Sequence, residues 1–159
     1  MKKVIRLSEN DLTNIINKVL NENTSLQDKL LKTIDRIGVV KTIESIGYKT
    51  FKKVLPDYNI SKEEKIEILN SIPEIKEGVA LYDLIDGDII IESRDTDEGE
   101  EVDYITYIED GYVTISTYEL LKDGEMSDDA INDYSMKLEE LDNYIINILF
   151  IRIVNNYFK

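Results

Sequence analysis

The hydrophobic period of this chain changes once, near Glu77-Gly78. Before that point apolar residues recur every three or four positions, the spacing of one helix face. After it, short runs rich in β-formers are joined by Asp-Gly pairs, the pattern of strands and tight hairpins. Helices first and strands grouped afterwards is the order of an α+β fold. The expected architecture is a set of N-terminal short helices, a four-stranded antiparallel meander, and a long C-terminal helix packed on the sheet.

The helical part is punctuated by local chemistry. Ser8-Glu9-Asn10-Asp11 has the form of a capping box, and Leu12, Ile15, Ile16, Val19 and Leu20 then line one face. The polar run Asn21–Thr24 predicts a break, with a second helix starting at Ser25. Gly38 and Gly47 punctuate two short helices, Val39–Ile46 and Tyr48–Leu55. Ser61-Lys62-Glu63-Glu64 caps a further helix that Pro73 helps to stop.

In the second part, Asp86-Gly87 predicts a hairpin between Ala80–Ile85 and Asp88–Ser93. Asp110-Gly111 predicts another between Val102–Glu109 and Tyr112–Tyr118. Arg94–Glu101 is too charged to be buried and reads as the connection between hairpins. Asp123-Gly124 marks one more turn. Ile131, Tyr134, Leu138, Leu141, Ile145 and Ile148 predict a long helix from Ser127 or Asp128 to about Tyr157, with a strand over Tyr144–Val154 as the alternative.

The charge splits where the period does. Residues 1–77 hold 14 Lys/Arg and 12 Asp/Glu, whereas residues 78–159 hold 5 and 21. Three parts are therefore expected: 1–23 as an amphipathic docking segment, 24–77 as a small helical region, and 78–159 as an acidic sheet with its helix. The net charge of −14 argues against a general nucleic-acid binder, which must neutralise phosphates. No apolar run approaches the ~20 residues of a membrane span, so neither nucleic acid nor membrane is an expected partner. The chain has no Cys and no His, which removes thiol nucleophiles, histidine acid–base chemistry, zinc fingers and disulfides.

The remaining chemical patterns are weak. Pro56-Asp57 with Glu63-Glu64-Lys65 imitates a nuclease signature, but its acids open a helix instead of lying on strands. Asp95-Thr96-Asp97-Glu98-Gly99 starts like a calcium loop, yet its Gly falls at position 5 and Thr106 stands where the final Glu belongs. No Gly-rich phosphate loop is present. No catalytic residue, metal site or cofactor is expected.

Partner-binding residues are expected on two surfaces. One is the face Leu12, Ile15, Ile16, Val19 and Leu20, for which packing on the chain's own helices is the equal alternative. The other is the acidic stretch with Asp97, Glu98, Glu100 and Glu101, together with Tyr104. Eight of the ten tyrosines lie in the acidic part, and tyrosine is favoured both in strands and at interfaces. The apolar end of the last helix adds self-association as a further expectation.

The segment Val4-Ile5-Arg6-Leu7-Ser8-Glu9-Asn10-Asp11-Leu12, continued by Ile15-Ile16 and Val19-Leu20-Asn21-Glu22, resembles the N-terminus of many small proteins of tailed bacteriophages infecting Bacteroidota and marine bacteria. Ser8 and Asn10 depart mildly from that pattern. The resemblance implies a phage origin and an N-terminal tag shared by otherwise unrelated proteins. Delivery to a common destination such as the assembling capsid follows from it. The expected function is a non-enzymatic, virion-associated or packaged protein acting through protein contacts, in the virion or the bacterial host cytoplasm. The alternative is an acidic host-directed inhibitor that occupies a basic site on a host protein.

Overall fold

The structure, a computed structural model, describes residues 8–158, with the backbone alone at Leu12, Val19, Leu20, Asn23 and Thr24. Residues 1–7 of the expected docking segment lie outside the described residues, as do the side chains of Leu12, Val19 and Leu20. The chain divides into two compact units, residues 1–58 and 59–159. The charge step near Glu77-Gly78 falls inside the second.

The first unit is helical: α1 (Glu9–Ile37), α2 (Val39–Ile46) and α3 (Tyr48–Val54). The capping box at its start is formed. Ser8 Oγ accepts the Asp11 N–H at 3.1 Å, and the Asp11 carboxylate accepts the Ser8 N–H at 3.0 Å. The expected break at Asn21–Thr24 is corrected, because α1 runs through it without interruption. Those residues are indifferent helix formers at a few tenths of a kcal/mol each, and the stretch contains no Gly or Pro to stop the helix. The stops come at Gly38 and Gly47, with φ of +86° and +80°. Side-chain-bearing residues rarely adopt that backbone, and glycine adopts it freely. Their N–H groups close the preceding helices on Ile34 and Ile43 carbonyls, each at 2.8 Å. Among the described residues of this unit the buried apolar ones are Val39, Ile43, Phe51 and Leu55, and Tyr58 stands edge-on to Phe51 at 5.4 Å.

The second unit is α+β, as the order of periods requires. It holds α4 (Lys62–Ser71), α5 (Pro73–Glu77), β1 (Val79–Ala80), α6 (Leu81–Leu84), β2 (Ile90–Thr96), β3 (Gly99–Glu109), β4 (Tyr112–Leu120), β5 (Asn132–Lys137), a 3-10 turn at Leu138–Glu140, and α7 (Asn143–Tyr157). Pro73 ends the α4 pattern by opening α5, where its missing N–H costs nothing. The sheet is antiparallel in the order β1-β3-β4-β5, and β2 also pairs with β3. β1 meets Ile108 and Tyr107 while β2 meets Tyr104 back to Gly99, so the two lie end to end along one edge of β3.

Three expected segments are corrected here. Leu81–Leu84 is a helical turn and not a strand, so Asp86-Gly87 closes no hairpin. The charged stretch Arg94–Glu101 is itself the β2–β3 hairpin, turning at Asp97-Glu98. The last helix begins at Asn143, because residues 132–137 are a strand on the edge of β4. Asp128, Asp129, Asn132 and Asp133 are poor helix formers, and β4 offers their backbone a row of partners. The Asp110-Gly111 hairpin forms as expected, with φ of 34° and 86° at its two central residues.

Helix α7 packs against α4. Ile145, Ile146, Leu149, Phe150, Ile153 and Val154 are buried. Asp142 caps it by accepting the Ile145 N–H at 2.8 Å. Lys65 Nζ donates to Asn147 at 2.6 Å, tying α4 to α7, and Arg152 donates to the Asp88 carbonyl at 2.9 Å.

Candidate protein-contact surfaces

The first surface belongs to α1. Every described side chain from Glu9 to Lys29 is exposed, including the apolar Ile15 (48 %), Ile16 (51 %) and Leu26 (52 %). Leu30, Thr33 and Ile34 are half-buried, at the end of α1 that meets α2 and α3. The unit thus consists of three packed helical ends and an arm of about 21 residues, roughly 30 Å long. Ile15 and Ile16, named from the sequence, stand open on that arm. A helix this exposed gains little from its own chain, since most helix stability in proteins comes from burying an apolar face.

The second surface is the β2–β3 hairpin. Thr96 fixes its tip: its hydroxyl donates to the Gly99 carbonyl at 2.9 Å and accepts the Gly99 N–H at 3.1 Å. Asp97 and Glu98 occupy the two turn positions and are exposed. Neither enters an ion pair among the described residues.

Glu100 and Glu101 are only half exposed and are engaged within the hairpin. Ser93 Oγ bonds the Glu100 carboxylate, and Arg94 pairs with Glu101 at 3.3 Å. Successive strand residues point to opposite faces, so Glu101 and Asp103 share one face while Glu100 and Tyr104 share the other. The expected continuous surface of acids and Tyr104 is therefore divided between two sides of the sheet. Tyr104 packs edge-on to Tyr118 at 6.2 Å, and burial, with Asp88 and Glu100 nearby, holds its phenol above the ordinary value.

What sequence reasoning missed is the organising pair of the hairpin. Asp103 is buried at 1 % exposure. Arg94 grips it with both ends of the guanidinium, at 2.7 Å and 3.2 Å. Thr117, directly across on β4, donates its hydroxyl at 2.7 Å, and Tyr134 on β5 donates at 3.3 Å. Burial pushes the Asp103 carboxyl up, but the Arg94 and Thr117 hydrogen bonds, the Arg94 charge and the Tyr134 bond outweigh it and hold it below the ordinary value. Arg94 is raised by the same partners, Asp103 first and Glu101 next. One signal was available: Arg94 is the sole Lys or Arg between Lys76 and Lys122.

A carboxylate that accepts four hydrogen bonds has its lone pairs committed, so this cluster ties strands together. Among the described residues no group of three or more acids could hold a metal ion, and no helix is long and apolar enough to cross a membrane. No protein-family model, curated protein or solved structure matches this chain.

Proposed function

We propose that this chain is a non-enzymatic protein of a tailed bacteriophage, virion-associated or packaged, that works by protein contact through its N-terminal arm. The observation that carries the reading is the exposure of Ile15, Ile16 and Leu26 on a helix whose first 21 residues bury no described side chain. Apolar residues at helical spacing on an unburied helix are the anchors of helix-in-groove recognition. The resemblance of Val4–Glu22 to phage N-terminal segments points the same way.

The test is quantitative mass spectrometry of purified virions against infected-cell lysate. The expected result is enrichment in virions at a fixed copy number. Ile15→Asp with Ile16→Asp in the full chain should remove that enrichment while leaving the unfolding transition of the sheet unit unchanged, because both side chains are exposed on the arm. Losing two anchors costs about 1.5–3 kcal/mol each, together roughly a hundredfold or more in affinity. Enrichment that survives both substitutions would discard the arm as the docking element.

The hairpin tip favours a second reading, an acidic inhibitor of a host protein. Asp97 and Glu98 are exposed carboxylates on a turn that Thr96 holds in place, which suits a basic site. Protein found in lysate alone would move this reading to first place. Asp97→Lys with Glu98→Lys is then expected to abolish capture of the host partner, and added salt to weaken it in the native chain. Salt-insensitive capture would count against it. Reversing Glu101 is a poorer test, since it would set a second cation against Arg94.

A further inference from the structure

We propose that the α1 arm pairs with a second copy of itself, the two arms running parallel as a two-stranded coiled coil over residues 9–29. The inference rests on reading the arm as a protein-contact surface and names what covers it.

Continuity of α1 through Asn21–Thr24 is the observation that opens this. With no break, one register runs the length of the helix: Leu12, Ile16, Val19, Asn23, Leu26, Leu30, Thr33, Ile37. The steps alternate four and three, which is a heptad seam of period 3.5. Glu9, Ile16 and Asn23 take its a positions along the arm and Leu12, Val19 and Leu26 its d positions, with Leu30, Thr33 and Ile37 continuing the register beyond it. Ile15 and Leu20 flank the seam at g and e.

The two ends of this seam have different surroundings. Leu30 and Thr33 are half-buried where α1 meets α2 and α3. Ile16 and Leu26 are half exposed on the arm. The arm is three heptads long, and the residue types of its sequence specify the occupant. Ile16 at a with Leu12 and Leu26 at d positions favours two strands. A single Asn at a costs stability against any apolar groove, yet in a parallel pair of identical helices position 23 meets position 23, where it fixes register and strand number. Charge permits the approach. Residues 9–37 carry four basic and five acidic side chains, a net of −1, against −14 for the chain. Two copies can meet along the arm without the repulsion that their acidic parts impose elsewhere.

Sedimentation equilibrium on the full chain tests this. The expected result is a dimer that becomes monomer on Ile16→Asp with Leu26→Asp, with the unfolding transition of the sheet unit unchanged. Orientation is read by crosslinking, free of background because the chain has no Cys. Ile16→Cys alone should oxidise to a disulfide-linked dimer, since parallel helices set a opposite a. A chain that stays monomeric at all concentrations overturns the proposal. So does a dimer that survives both Asp substitutions, or a crosslink that forms only when Ile16→Cys and Leu26→Cys chains are mixed. A monomer that still enters virions through the arm defeats this inference and leaves the docking reading standing. A dimer absent from virions does the reverse.

Discussion

Replacing Asp103 with Ala should lower the unfolding free energy by about 2–3 kcal/mol, a fall in Tm of roughly 4–12 °C. The loss is large because the Arg94 guanidinium, the Thr117 hydroxyl and the Tyr134 hydroxyl all lose their acceptor together. It stays below the full cost of breaking a buried ion pair because the Arg94 side chain is 37 % exposed and water replaces part of the partnership. Asp103→Asn keeps the shape and removes the charge, so it should cost about 1–2 kcal/mol.

The effect carries a pH signature whose sign is fixed. The folded-state carboxyl titrates below its unfolded value, so this stabilisation is complete above the unfolded pKa of about 3.9 and is lost as pH falls through the folded one. The stability gap between the native chain and Asp103→Asn should be flat near neutrality and shrink in acid below about pH 4. Urea unfolding at a series of pH values reads it directly. A gap that widens in acid would mean that Asp103 is not held as the charged acceptor.

Leu149→Ala is expected to cost more, about 3–4 kcal/mol. Leu149 has no exposed surface and sits among Ile146, Phe150, Ile153 and Val154, which are also fully buried. Removing its three outer carbons forfeits their transfer from water and leaves a cavity that a packed helix cannot collapse to fill. The same helix offers a control two residues on: Ile151 is 49 % exposed, and Ile151→Ala should change stability by no more than about 0.5 kcal/mol. Equal losses at the two positions in denaturant titrations would contradict the placement of α7.

Much of the local structure was legible without any tertiary information. The capping boxes at Ser8 and Ser61 are formed, the helices stop at Gly38 and Gly47, and Asp110-Gly111 turns a hairpin. Each of these signals is complete within about four residues, because a cap or a tight turn depends on side chains and φ angles at its own positions.

The candidate surfaces were legible in part for the same reason. Ile15 and Ile16 follow helical spacing, and Asp97 and Glu98 lie in a stretch too charged to bury. The exposure of Asp97 and Glu98 was therefore implied, whereas the spacing of Ile15 and Ile16 fitted burial on the chain's own helices equally well. Which acids are engaged was not implied, because Arg94 reaches Asp103 only after β2 and β3 settle into register.

The sequence by itself determined the α+β class, the helix starts and stops, the Asp110-Gly111 hairpin and the charge of each part. Only the tertiary structure decided that Leu81–Leu84 is a helical turn, that residues 132–137 leave a helical pattern to pair with β4, and that Asp103 is buried beside Thr117 and Tyr134. Those outcomes depend on a partner strand far away in sequence. The apolar spacing of residues 131–141 is that of a helix, and the free edge of β4 overrides it over residues 132–137 by supplying hydrogen bonds that no local pattern encodes.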